Sequence, residues 1–154
     1  MPTTSAVPAP RDVPTAAHPL AVRVREAEAK AGAGDPSDLR ALQHEAMVVH
    51  APGATILGGD TRGREALYAK NRRMAELTGG TLRLVPLHVL ATDDVATVVA
   101  RITAERPGRR PLEEFICEVW RFEDGRCVEV WDHFGDLAAW DAFWGDDAGP
   151  GARA

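Results

Sequence analysis

Residues 112–134 read LEEFICEVWRFEDGRCVEVWDHF, two alternating apolar and polar runs joined at Asp124-Gly125. An Asp-Gly pair between such runs signals a two-residue hairpin, because both central residues of that turn need a positive φ. With those two as the loop, strands Leu112–Phe122 and Arg126–Phe134 pair so that Glu123 opposes Arg126, Val119 opposes Val130 and Cys117 opposes Asp132. Strict alternation then puts Phe115, Cys117, Val119, Val128, Val130, Asp132 and Phe134 on one face. Glu118, Trp120, Phe122, Cys127, Glu129, Trp131 and His133 take the other. Cys117 and Cys127 point opposite ways, so no disulfide is expected between them.

Upstream the same period of two gives strands Leu82–Ala91 and Val95–Glu105, joined at Asp93-Asp94. Earlier still the period is helical. Leu20, Val24, Ala27 and Ala31 form a stripe that stops at Gly32. Asp35 caps a short second helix with Leu39 and Leu42 inward, and Pro36 suits its first turn. Met47–His50 is a short strand before Pro52-Gly53. Asp60 or Thr61 caps a third helix from about Arg62 to Leu77, with Leu67, Asn71, Met74 and Leu77 on one face and Gly79-Gly80 at its end. Asp136 caps a last helix, Leu137–Trp144. Helices segregated from an antiparallel meander predict an α+β domain, a curved antiparallel sheet with helices packed over its concave face.

The expected organisation is a disordered tail over residues 1–17, one domain over 18–145 and a second disordered tail over 146–154, since both ends are rich in Pro, Gly and Ala without a period. The chain has 154 residues, 45% hydrophobic and 27% charged, with a net charge of -5. That balance argues against nucleic acid or an anionic membrane as partner. No run approaches the ~20 apolar residues of a membrane helix, and no leader pattern opens the chain. Two cysteines without a CxxC suit a reducing compartment, so a cytoplasmic location is expected. The five histidines form no HExxH or close pair, and there is no phosphate loop, GxGxxG after a strand or GxSxG elbow. No metal or other cofactor is expected.

Three polar residues interrupt apolar strands: Asp132, Arg101 in VATVVARIT, and His50 at the end of MVVH. An Asp on an apolar face is costly unless paired, and in a dry cleft it has the raised pKa of a general acid or base. Arg101 would orient or neutralise it, and His50 would hold a water or share a proton. The alternative is that Asp132 lies beyond the sheet and simply meets water. Trp120 and Trp131, on the face that mixes aromatics with charges, are assigned to a homodimer contact. Arg106, Arg109 and Arg110 flank Pro107-Gly108 and read as a solvated turn.

The stretch FICEVWRFEDGRCVEVWDHFGD resembles the closing hairpin of the nuclear-transport-factor-2-like superfamily, in particular its SnoaL-like and ketosteroid-isomerase-like branch. GREAL, from Gly63 to Leu67, is similar to that family's helix start. The resemblance covers about Ala21 to Trp144 and implies a cone-shaped fold around a pocket for a small hydrophobic substrate. It implies cofactor-independent acid–base chemistry on a carbonyl compound: cyclisation, isomerisation or dehydration, with Asp132 as the acid–base residue. The substrate-binding set is then Tyr68, Met74, Cys117, Val119, Val130 and Phe134. A second branch, resembling limonene epoxide hydrolase, uses an Arg between two carboxylates. Arg101 and Asp132 match it, His50 falls at its Asn, and Thr103 stands where it has the second carboxylate. A third reading is a ligand-binding or dimerising module without turnover.

Overall fold

Asp124 and Gly125 both adopt positive φ, 48° and 75°, the geometry that matches a tight turn to the right-handed twist of its strands. They join β5 (Leu112–Glu123) to β6 (Arg126–Phe134). The computed structural model describes residues 18–55 and 57–145; the two expected tails lie outside the described residues. Within them run α1 (Pro19–Gly32), α2 (Ser37–Leu42), β1 (Gln43–Ala51), β2 (Gly59–Arg62), α3 (Arg64–Leu77), β3 (Arg83–Ala91), β4 (Val95–Ala104) and, after the hairpin, α4 (Leu137–Trp144). No helix among the described residues is long and apolar enough to cross a membrane.

The strands form a six-stranded sheet ordered β2-β1-β6-β5-β4-β3. Every neighbouring pair is antiparallel except β1 and β6, which run parallel. The expected all-antiparallel sheet is therefore mixed. Strand β2 was not expected: residues 59–62 extend along β1, and the helix cap falls to Gly63 at φ 91°. Asp60 consequently lies on a strand, opposite His50.

The hairpin register departs from strict alternation. Phe122 opposes Cys127, but Arg121 then opposes Glu129, Trp120 opposes Val130, and Glu118 opposes Asp132. Val128 is the extra residue of a β-bulge, two residues of β6 facing one of β5. A slip of one residue exchanges the faces of everything beyond it. The inner face therefore carries Ile116, Glu118, Trp120 and Phe122 from β5 with Val130, Asp132 and Phe134 from β6. Cys117 and Val119 lie on the outer face, in register with His133 and Trp131. Cys127, next to the turn, precedes the bulge; it is buried and Cys117 only half-buried, and both are free thiols.

Apolar stripes of α1 cover one half of the inner face. Leu20, Ala21, Val24 and Ala27 pack with Val98, Ala100, Trp120 and Phe122. The other half is closed by α4, whose Trp140, Phe143 and Trp144 pack with Met74, Ile102 and Leu112. Asp136 caps α4 by accepting a hydrogen bond from the Ala139 N–H at 2.9 Å. Between these two packed ends the helices stand off the sheet.

Candidate active site

The gap is a cavity of about 350 Å³ bounded by α1, α2, α3, the inner sheet face and Trp140. Its wall is mostly apolar: Met47, Val49, Leu67, Met74, Ile116, Trp120, Val130 and Phe134 all contribute. Phe134 stacks on Trp140 with centroids 3.9 Å apart. Of the expected substrate-binding residues, Met74, Val130 and Phe134 line the cavity. Cys117 and Val119 are excluded by the bulge. Tyr68 is not on the cavity wall either; its ring faces the Arg40 guanidinium at 5.1 Å, and its hydroxyl is buried without a hydrogen-bond partner.

Six polar side chains reach this wall: Glu28, Gln43, Lys70, Asn71, Glu118 and Asp132. Asp132 on β6 and Glu118 on β5 face each other across the hairpin. Burial pushes the Asp132 carboxyl up to about 6, while Lys70 of α3, His133 and His50 pull it down. Burial holds Glu118 well above the ordinary carboxylate range, and the charges of Asp132 and Glu28 push it further. The Trp120 indole N–H donates to Glu118 Oε2 at 2.9 Å and opposes that rise. Burial lowers the Lys70 ammonium and Asp132 raises it. Two neighbouring carboxyls in a dry site do not both ionise cheaply. Asp132, beside the lysine, ionises first, and Glu118 keeps its proton. The arrangement offers a poorly hydrated carboxylate next to a carboxylic acid, an acceptor and a donor of one proton.

Arg101 and His50 are not part of it. Arg101 is on the outer face in register with Phe115, its side chain 49% exposed and 3.6 Å from Glu113. It falls there because β4 alternates and its neighbours Ala100 and Ile102 are the buried ones. His50 also points outward. Its Nδ1 meets Asp60 at 2.7 Å, its Nε2 meets Glu129 at 2.8 Å, and its ring stacks on Trp131. Hydrogen bonds first to Glu129 and then to Asp60 raise its pKa, so the imidazolium clamps β1 to β2 and β6. Trp120, assigned from sequence to an outer contact with Trp131, is instead an inner core residue, 4% exposed.

The sequence reading missed Glu118, Glu28, Lys70 and Gln43. A signal for Glu118 existed: its face also holds Ile116, Trp120 and Phe122, a heavier apolar set than Phe115, Cys117 and Val119. For Lys70 the signal was helical spacing, three residues after Leu67 and four before Met74.

The SnoaL-like domain family matches residues 24–130. Among solved structures, Bal32a from a soil-derived mobile gene cassette is 41% identical, with a TM-score of 0.75 over 81% of this chain and 95% of its own. A nuclear-transport-factor-2-like protein of unknown function from Burkholderia pseudomallei is 23% identical, with a TM-score of 0.70 over 82% and 98%. IdmH, a candidate polyketide cyclase from Streptomyces antibioticus, is 21% identical, with a TM-score of 0.62 over 77% and 93%. No curated protein matches the chain.

Proposed function

The chain belongs to the SnoaL-like family, and from that premise we propose that it catalyses proton transfer next to the carbonyl of a small hydrophobic compound, without a cofactor. Asp132 takes the proton from the carbon, and Glu118, protonated, donates a hydrogen bond to the carbonyl oxygen as negative charge develops there. The product enolate or enol then cyclises, isomerises or loses water according to the substrate. The carrying observation is the register that sets Asp132 opposite Glu118 on the wall of an apolar cavity. Carboxyls with displaced pKa values divide acid and base roles near neutral pH, and a donor aimed at developing charge is worth most where water is excluded. Lys70 keeps Asp132 ionised, and Trp120 fixes one oxygen of Glu118. The candidate polyketide cyclase among the similar structures is consistent with a carbonyl substrate. The epoxide-opening alternative loses support, because Arg101 is on the other side of the sheet.

The test is hydrogen–deuterium exchange at the α-carbons of 2-tetralone in D₂O, followed by NMR. Wild type should accelerate exchange over buffer, and Asp132→Asn should lower the enzymatic rate by about 10²–10⁴-fold. An Asp132→Asn protein that exchanges the ketone as fast as wild type would leave a binding module as the better reading.

The proposal includes a homodimer through the outer sheet face. Val85 and Leu90 of β3 are 47% and 57% exposed there, and Phe115, Val119 and Trp131, on β5 and β6 of the same face, are half-buried. Exposed apolar patches of this kind mark contact surfaces.

A further inference from the structure

We propose that Lys70 is a nucleophile that joins the carbonyl carbon of the ligand as an iminium, a capture that rests on the reading of this cavity as a carbonyl site and makes its ligands aldehydes and unhindered ketones. Lys70 stands on α3 among Leu67, Asn71 and Met74, and all four line the cavity. It is half-buried, and among the described residues it makes no hydrogen bond or ion pair. Asp132 of β6 lies on the same wall, and its charge and that of the Lys70 ammonium act on each other. The amine end is therefore turned toward the sheet side of the cavity, within the field of the carboxylate but not locked to it. Lys30, the chain's other lysine, shows the contrast. It donates to Ser37 at 3.1 Å and to Asp38 at 3.0 Å, and the bond to Asp38 foremost raises its pKa.

A lysine in a dry wall without a fixed partner has the form of an amine nucleophile: burial favours the neutral amine, and no acceptor occupies its nitrogen. Burial lowers the Lys70 ammonium accordingly, against the opposing charge of Asp132. Of the chain's 18 basic residues only Lys30 and Lys70 are lysines. Arginine would neutralise Asp132 equally well, but only lysine can give up its proton and attack. The step balances within the site. One ammonium proton passes to Asp132, and the freed nitrogen pair forms a bond to the carbonyl carbon. The C=O π pair moves to oxygen, which takes the proton of Glu118. The nitrogen then returns a proton to Glu118, Asp132 gives its proton to the new hydroxyl, and water leaves as the nitrogen pair closes C=N. Ammonium and carbonyl become iminium and water, with one positive charge on each side and no oxidant or reductant consumed. The cation stays beside Asp132, which is again a carboxylate and now faces a more acidic α-carbon.

The experiment incubates the full chain with 2-tetralone and sodium cyanoborohydride at neutral pH and reads intact mass and tryptic peptides. Hydride reduces an iminium to a secondary amine, which fixes the ligand to the chain and blocks cleavage after the modified lysine. Lys70 should be alkylated about 10-fold or more faster than Lys30, because a carbonyl seated beside the amine reacts as an internal partner. Lys70→Arg keeps a cation beside Asp132 and should lose that adduct, with labelling of Lys30 unchanged. Alkylation of Lys70 no faster than that of Lys30, with ketone exchange in D₂O still accelerated, would overturn the nucleophile and leave the carbonyl chemistry to Asp132. A rapid adduct on Lys70 without accelerated exchange would uphold the nucleophile and overturn Asp132 as the base. Absence of both would overturn the cavity as a carbonyl site. The wild-type peptide map decides the matter even where the variant does not fold.

Discussion

Replacing Asp132 by Asn should make the protein more stable at neutral pH while removing its proposed chemistry. Burial holds the Asp132 carboxyl at about 6, against an ordinary value of 3.8. The native state therefore binds this proton more tightly than the unfolded chain, and stability falls as pH rises between those values. The displacement is about 2 pH units; at about 1.36 kcal/mol per unit, ionising Asp132 costs the native state up to about 3 kcal/mol above pH 7. About 1 kcal/mol of that is already present at pH 4.5, because the unfolded carboxyl ionises first. Sharing of the proton with Glu118 and residual hydration reduce the whole. Asn keeps the shape and carries no charge. Guanidinium unfolding of both proteins at pH 4.5 and 7.5 should therefore show a gain for Asn that grows by as much as about 2 kcal/mol between the two. A gain independent of pH, or a loss at pH 7.5, would refute the placement of this carboxyl in a desolvated wall.

Other outcomes follow from the same geometry. Arg101→Lys and Arg101→Ala should leave ketone exchange within about twofold of wild type, since surface changes away from a site are near neutral; a large loss would bring Arg101 back into the chemistry. His50→Ala should lower Tm at pH 6 and much less at pH 9. The folded imidazole has a raised pKa, so its stabilisation is fully present below the unfolded value and is lost as pH rises through the folded one. A thiol reagent should modify half-buried Cys117 in the native protein but reach Cys127 only on unfolding, because Cys127 is buried and its thiol is pushed up to about 12. Light scattering at micromolar concentration should give twice the chain mass, and Val85→Glu should halve it; a wild-type monomer would remove the dimer.

The hairpin, the helices and the α+β arrangement were legible because each rests on local signals: Asp124-Gly125 for the turn, the 3.6-residue stripe of α1, the cap at Asp136. Asp132 was legible as an acid among apolar neighbours. Its partner was not. The bulge at Val128 inserts one residue into an otherwise regular run, and no glycine or proline marks it. One unnoticed residue was enough to place Cys117 and Val119 inside and Glu118 and Trp120 outside, the reverse of the structure. Arg101 and His50 failed for a related reason. Each was read as a polar interruption of an apolar run, but on an alternating strand such a residue simply belongs to the wetter face. Which face is wet depends on where the helices pack, and that is a tertiary fact.

The parallel junction of β1 with β6 bears on how the chain reaches this form. His50 and Glu129, bonded across that junction, are 79 positions apart. A strand that must wait for a distant partner pays its loop-closure entropy before any contact rewards it, and such topologies fold slowly. During synthesis β1 emerges early and can pair only with β2 until the last strand has left the ribosome. The cavity is therefore the last part to exist, since Asp132 and Phe134 both ride on β6. A nascent chain stopped before residue 126 has α1, α2 and α3 and an incomplete sheet, without β6 or α4, and no site to act on a substrate.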